Sequence, residues 1–248
     1  AEFQLAIMCQ KPLSESAAEA RSLLEFMEDA VPFKVHENWR FRPEYRRVKR
    51  DLGENRLGCL QRVSLDCSSS GLIQRSDGSY PAIVRQPFFA KLPRLIVFEL
   101  LIHHLDLITW LFGPVTVNRA ALSRRCAAVI GEDVAEIELL TASGVSVRLT
   151  GSFCRAEKPE IPTDDLVIVG EQSTLRFSNG RMTLEPDSGL SPESFPFEHS
   201  YPASYAGAIK DFVEGLVLKR PFETSALEHL AILNLVEEIY ALGGHPGA

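Results

Sequence analysis

Between residues 115 and 185 the chain offers six segments of strand character in quick succession, near 115 to 122, 132 to 140, 145 to 153, 165 to 170, 173 to 177 and 181 to 185. Only short turns separate most of them, and "SNGR" at 178 to 181 carries the Asn-Gly pair that favours a two-residue hairpin. Strands spaced this closely pair mainly antiparallel, because a parallel neighbour needs a crossover of a dozen or more residues. Such a sheet must bury one face under helices. Three candidates exist: about 94 to 112, stopped by Gly113 and Pro114, then 203 to 219 and 225 to 242. The first, "RLIVFELLIHHLDLITWLFG", is apolar enough to raise the question of a membrane span. Glu99, His103, His104 and Asp106 near its middle would be costly in hydrocarbon, so it reads as a buried helix.

The start of the chain has a different grammar. "LAIMC" at 5 to 9 is a short continuous apolar run, as expected of a strand covered on both faces. Residues 13 to 30 offer Ser14 or Ser16 as N-cap and apolar residues at helical spacing, Pro32 ends that helix, and "FKVHEN" at 33 to 38 is a second strand. This is one βαβ unit. Pro43 then opens a helix to about Leu52, "GCLQRVSLDCS" at 58 to 68 alternates like a half-buried strand, and residues 68 to 93 form a long loop rich in Gly, Ser and Pro. The order predicts an α+β fold: a βαβ unit, then a mostly antiparallel open-faced sheet with helices on one face.

A formal net charge of -7 argues against a nucleic-acid surface, which needs clustered, unopposed cations. The one basic cluster, "WRFRPEYRRVKR" at 39 to 50, reads as the solvated face of an amphipathic helix. Five cysteines, at 9, 59, 67, 126 and 154, are odd in number and lack ligand spacing, so neither a disulfide framework nor a metal site is expected. The first residues show no charged segment leading into an apolar core. The expectation is a cytoplasmic protein that binds neither nucleic acid nor membrane.

Glu99 and His103 stand four apart on a predicted helix, where a carboxylate can orient an imidazole that acts as a general base; a buried Glu-His pair can equally satisfy itself in a core. His104 points about 100 degrees away from its neighbour, so one of the two at most faces a given cleft. Asp106 could share the His103 face or act as a structural acceptor. Lys11, fixed by Pro12 at the carboxyl end of a parallel strand, lies at the edge where open α/β sheets bind ligands, or is a plain surface lysine. No G-x-G-x-x-G, P-loop or G-x-S-x-G motif occurs.

Together these segments resemble a known family. "CQKPL" is similar to an E-K-P motif, "HENWRFRPEYR" to N-x-R-F-x-P-x-Y, and "ELLIHHLDLITWLFG" to the D-x-G-x-H-x-x-D segment of the glucose-fructose oxidoreductase, inositol dehydrogenase and rhizopine-catabolism (Gfo/Idh/MocA) family. The segment 205 to 240 is similar to that family's final helices. The resemblance implies that residues 1 to 38 are the last part of a Rossmann domain whose glycine-rich start precedes Ala1. Residues 39 to 248 would be a substrate-binding and dimerisation domain. It implies NAD or NADP as cofactor, a small-molecule substrate, and a homo-oligomer through the open sheet face.

By matched position, Lys11, Glu99 and His103 would be catalytic: Lys11 at the reacting oxygen, and His103, oriented by Glu99, as proton acceptor. Lys11, Pro12, Asn38 and Arg40 would lie at the cofactor, and Trp39, Arg85, Gln86 and Asp106 at the substrate. Glu99 replaces the motif's aspartate, Leu101 its glycine and Gln10 the glutamate of E-K-P. The implied activity is hydride transfer between a nicotinamide and a CH-OH group of a sugar, polyol or related hydroxy compound. The alternative is a non-catalytic sugar-binding or dimerisation module of the same descent.

Overall fold

A computed structural model of the chain describes residues 5–27, 31–186 and 192–244. Strand β1 (Ile7–Gln10), helix α1 (Ala17–Met27) and strand β2 (Phe33–His36) form the expected βαβ unit, the two strands parallel with Gln10 opposite His36. Ser16 is the residue that caps α1: its Oγ accepts from the Glu19 N–H at 3.2 Å. The helix was expected to reach residue 30; residues 28–30 lie outside the described part.

A single 3-10 turn, Trp39–Phe41, leads into α2 (Pro43–Gly53) and then β3 (Leu60–Ser68). The loop that follows is less irregular than expected, since α3 (Pro81–Arg85) and a second 3-10 segment, Pro87–Lys91, break it up. The expected long helix is two pieces: a π-helical turn over Ile96–Leu101 runs into α4 (Ile102–Phe112), ended by Gly113 at φ 83°. Then come β4 (Val115–Ser123), β5 (Val134–Thr141), β6 (Ser146–Ser152), β7 (Thr163–Gly170), β8 (Thr174–Ser178), β9 (Arg181–Glu185) and β10 (Glu193–Ser194). The β8–β9 turn is built on Asn179 and Gly180, both at positive φ, which Asn and Gly tolerate at little cost. Helices α5 (Phe197–Leu218) and α6 (Ala226–Gly243) close the chain, α5 starting six residues earlier than its sequence pattern suggested and continuing through Pro202.

The large sheet has eight strands in the order β10-β9-β8-β7-β3-β6-β5-β4. All neighbours are antiparallel except β3 and β6, which are parallel. Their connection has room for this because α3, the π turn, α4 and two strands intervene. Burial alternates along β5, with Ile137 and Leu139 inward and Glu136 and Glu138 outward, so one face is open and the other lies under helices. The π turn packs directly on that inner face. A Cβ at Gly151 of β6 would sit 2.9 Å from Leu101 Cδ1 and 3.1 Å from Ile96 Cδ1. Leu101, where the motif has glycine, is thus accommodated by a glycine in the facing strand. Among the described residues no helix is long and apolar enough to cross a membrane.

Candidate active site

The carboxyl ends of β1 and β2 open onto a cleft of about 440 Å³ whose other walls come from α3 and the residue after it, the π turn, the start of α4 and the first turns of α5. Gln10, Lys11, Asn38, Trp39, Arg85, Gln86, Glu99 and His103 all line it, so one cleft gathers residues spread over more than ninety positions.

Lys11 is held from one side. Its Nζ donates to the Glu99 carbonyl oxygen at 2.7 Å and lies 3.2 Å from the Glu99 carboxylate. Both acceptors come from the π turn, a departure from α-helical geometry of the kind often found at functional sites. The expected contact between Glu99 and His103 is therefore not made. The wider π turn rotates Glu99 out of the (i, i+4) relation, and the ammonium at the end of β1 claims it. His103 pairs elsewhere: its Nδ1 lies 2.8 and 2.7 Å from the two carboxylate oxygens of Glu37, a fully buried residue directly after β2. Burial works against charge on Glu37. The His103 ring and the Trp39 N–H, which donates to Glu37 at 2.9 Å, overcome it and hold the carboxyl down at about 2. Burial also lowers the basicity of His103, with Glu37 opposing and Lys11 adding to the effect.

Aromatic rings frame these groups. Trp39 lies flat on His103 with ring centroids 4.1 Å apart and 14° between planes. Tyr201 meets Trp39 edge-on, stacks on Phe197, and shares a hydrogen bond with Tyr205 at 2.9 Å. Burial and that bond push the Tyr205 hydroxyl up to about 12. Asn38 donates to Ser204 Oγ at 2.7 Å, and Gln10, in the place of the motif's glutamate, lies 2.9 Å from His36 Nδ1. Arg85 is exposed and Gln86 half-buried on the opposite wall.

Three expected site residues do not line the cleft. Arg40 and Asp106 are consumed by each other: Arg40 Nε and Nη2 donate to the two Asp106 oxygens, both at 2.6 Å, while Nη1 donates to the Glu223 carbonyl at 2.6 Å. Burial disfavours the guanidinium, but Asp106 and Glu228 raise its pKa above the ordinary value. Pro12 follows Lys11 without lining the cleft. Nor is the basic cluster a solvated face. Arg42 pairs with its near neighbour Glu44 at 2.8 Å, and elements distant in sequence bring Asp164 to Arg42 at 2.9 Å and Glu223 to Arg46 at 2.8 Å.

His104 points to the same buried Asp164, its Nε2 2.9 Å away, alongside the Tyr45 hydroxyl at 2.6 Å. Cys67, His104 and Asp164 bring donor atoms within 4.8 Å of one another. Arg42 and Tyr45 already occupy that carboxylate, so a cation there would have to displace a guanidinium. The cluster ties α2, α4, β3 and β7 together.

Glu37, Phe197, Tyr201 and Tyr205 were not picked out from the sequence. Signals for them existed. The register that sets Gln10 opposite His36 puts Glu37 next to Lys11 at the ligand edge, and Phe197, Tyr201 and Tyr205 recur every four residues.

A short parallel sheet that delivers Lys11 and Glu37 to a cleft, where Glu37 meets His103 of a helix packed on an open-faced sheet, defines an α+β protein with a lysine and a histidine-carboxylate pair in one cleft. Residues 45–176 match the model of the GFO/IDH/MocA C-terminal domain, and the chain belongs to that family. It is 34% identical over 255 residues to a D-apiose dehydrogenase of Paraburkholderia graminis, covering 97% of this chain and 65% of that protein. To a D-apiose dehydrogenase of Rhizobium rhizogenes it is 27% identical over 252 residues, covering 97% and 70%. Among solved structures, an oxidoreductase from Agrobacterium radiobacter in complex with NAD+, L-tartaric acid and magnesium superposes with a TM-score of 0.83 at 26% identity, over 96% of this chain and 71% of that one. The chain thus spans about two thirds of the length of these relatives.

Proposed function

We propose that this chain is the substrate-binding part of an NAD- or NADP-dependent oxidoreductase that moves a hydride between the nicotinamide and a CH-OH group of a sugar, polyol or related hydroxy compound. The observation that carries the reading is the meeting of Lys11, clamped by Glu99, with His103 in one cleft. His103 has its Nδ1 bound to Glu37, and its Nε2 has no protein partner among the described residues. The D-apiose dehydrogenases and the NAD+ complex named above support it.

The cleft fits one end of a dinucleotide. Its apolar lining of Phe89, Leu100 and Phe153 suits a flat nicotinamide ring, with Lys11 and Asn38 beside it, whereas the phosphate-cradling glycine motif is absent from the sequence. When bound, the nicotinamide supplies the hydride acceptor or donor. The chain supplies the rest. In the oxidising direction His103 Nε2 takes the hydroxyl proton, and the Lys11 ammonium donates a hydrogen bond to the oxygen on which charge develops. Trp39, Tyr201 and Phe197 give the carbon skeleton an aromatic floor, and Arg85 and Gln86 face the substrate from the other wall. We assign residues 1–38 to the nucleotide-binding part and 39–248 to the substrate part. The open sheet face, where Arg62, Arg119, Glu136 and Arg148 are exposed, is the proposed contact between subunits of a homo-oligomer. Five free cysteines suit a reducing cytoplasm.

The test is turnover of the full-length protein with NAD or NADP and a panel of sugars and polyols. His103→Ala should lower kcat/KM by roughly 10²- to 10⁴-fold. Equal rates in wild type and variant would overturn the reading in favour of a non-catalytic binding module.

A further inference from the structure

We infer that Glu37, and not the motif carboxylate Glu99, is the positioning residue of His103: it fixes the imidazole with its proton on Nδ1 and leaves Nε2 bare toward the cleft. The role assigned to Nε2 rests on the acid-base reading above; the pairing itself does not.

The geometry makes the division of labour definite. Both Glu37 oxygens lie within 2.8 Å of Nδ1, and one of them also accepts the Trp39 N–H at 2.9 Å, so the carboxylate is locked before any ligand arrives. Trp39 stacked on the ring prevents it from turning over. Glu99 is engaged with Lys11. A carboxylate can only accept, so Nδ1 must donate, and a neutral imidazole then has its lone pair on Nε2. The charged and titratable groups around His103 are Glu37 after β2, Lys11 after β1, its helix neighbour His104 and His229 of α6. Of these, Glu37 alone is within hydrogen-bond distance of the ring. When Nε2 accepts a proton, the resulting imidazolium faces a fixed negative charge on its far side, whereas Glu99 stabilises the ammonium that faces the substrate oxygen. Two carboxylates hold two catalytic groups separately.

Glu37→Gln is the informative change. The side-chain oxygen would keep the Trp39 N–H, which turns the amide NH2 toward Nδ1. Nδ1 must then accept, the proton moves to Nε2, and the base is blocked with little change in shape.

The experiment is ¹⁵N NMR of histidine-labelled full-length protein, with the His103 ring signals identified by their loss in His103→Gln. In the wild type we expect protonated Nδ1 and bare Nε2. Glu37→Gln should reverse the two nitrogens, and Glu99→Gln should leave them as they are. Wild-type His103 with its proton on Nε2, or a ring indifferent to Glu37→Gln but altered by Glu99→Gln, would overturn the inference. The wild-type spectrum alone decides it if Glu37→Gln fails to fold, and Glu37→Asp, which keeps the charge, should retain the wild-type tautomer. Kinetics add the second readout: Glu37→Gln should lose roughly 10²- to 10⁴-fold in kcat with KM little changed. If the ring behaves as stated while no hydroxy compound is turned over, the pairing stands and the dehydrogenase reading falls.

Discussion

Replacing Asp106 by leucine should destabilise the protein by about 3 kcal/mol, although Asp106 lies outside the cleft. Both partners of the Arg40–Asp106 pair are at most 3% exposed at the side chain. Removing one member of a buried ion pair typically costs about 3–5 kcal/mol, because the other charge is left without compensation. Here Arg40 would lose the acceptors of Nε and Nη2 but keep the Glu223 carbonyl at 2.6 Å and the Glu228 carboxylate at 3.1 Å. Glu228 is 47% exposed and therefore partly screened, which offsets some of the loss and sets the expectation at the lower end of that range. In a chain of this size about 3 kcal/mol corresponds to a fall of roughly 6–12 °C in Tm. The double variant Arg40→Met/Asp106→Leu, which removes both charges, should recover most of the stability, since well-packed apolar replacements of buried pairs are often neutral. Urea unfolding of wild type, single and double variants measures all three. A loss below about 1 kcal/mol in the single variant, or a double variant no better than the single, would refute the account of this pair as a mutually dependent buried unit.

Stability should fall in mild acid because of His229. Both of its ring nitrogens are buried without a hydrogen-bond partner among the described residues, and burial, opposed by Glu37, lowers its pKa to about 4. The folded value lies below the unfolded one, so this contribution is complete above about pH 6.5 and is lost as the pH falls toward 4, the loss reaching about 2 kcal/mol at pH 5. Urea titrations at pH 7 and pH 5 should show that difference shrinking in His229→Leu, and an equal difference in both proteins would count against it. Gly170→Ala should cost more than Gly151→Ala, by about 1–3 kcal/mol, because its Cβ would meet the Leu57 carbonyl oxygen at 2.2 Å whereas Gly151 meets only the tips of Leu101 and Ile96. Thermal melts that rank the two in the opposite order would show that the strand beside Leu57 yields easily. With two tryptophans in the chain, Trp110→Phe leaves Trp39 as sole reporter, and its emission should change saturably as a sugar or polyol enters the cleft. Unchanged emission with binding proven by calorimetry would remove Trp39 from the cleft wall.

What the sequence determined by itself were the features set by local rules. Alternation and turn residues placed β4 to β9 within a few positions, since side-chain period and positive-φ demands are properties of a few neighbouring residues. Strand β1 followed by Lys11-Pro12 put the lysine at the ligand edge, and the 99–113 segment supplied His103, both of which line the cleft. Partner choice was a different matter. Spacing on an ideal α-helix assigned Glu99 to His103, but the π turn altered the helical phase and Lys11, 88 positions away, took the carboxylate. Arg40, Arg42 and Asp106 read as available for ligands or solvent because the sequence does not reveal that Asp164, Glu223 and Glu228 arrive beside that cluster. The same holds for the aromatic floor, whose Tyr201 and Tyr205 come from the far end of the chain. Which residues carry charge and where they sit along an element are written locally; which charge meets which is decided only when distant elements pack, because burial leaves each charge no stable state except paired.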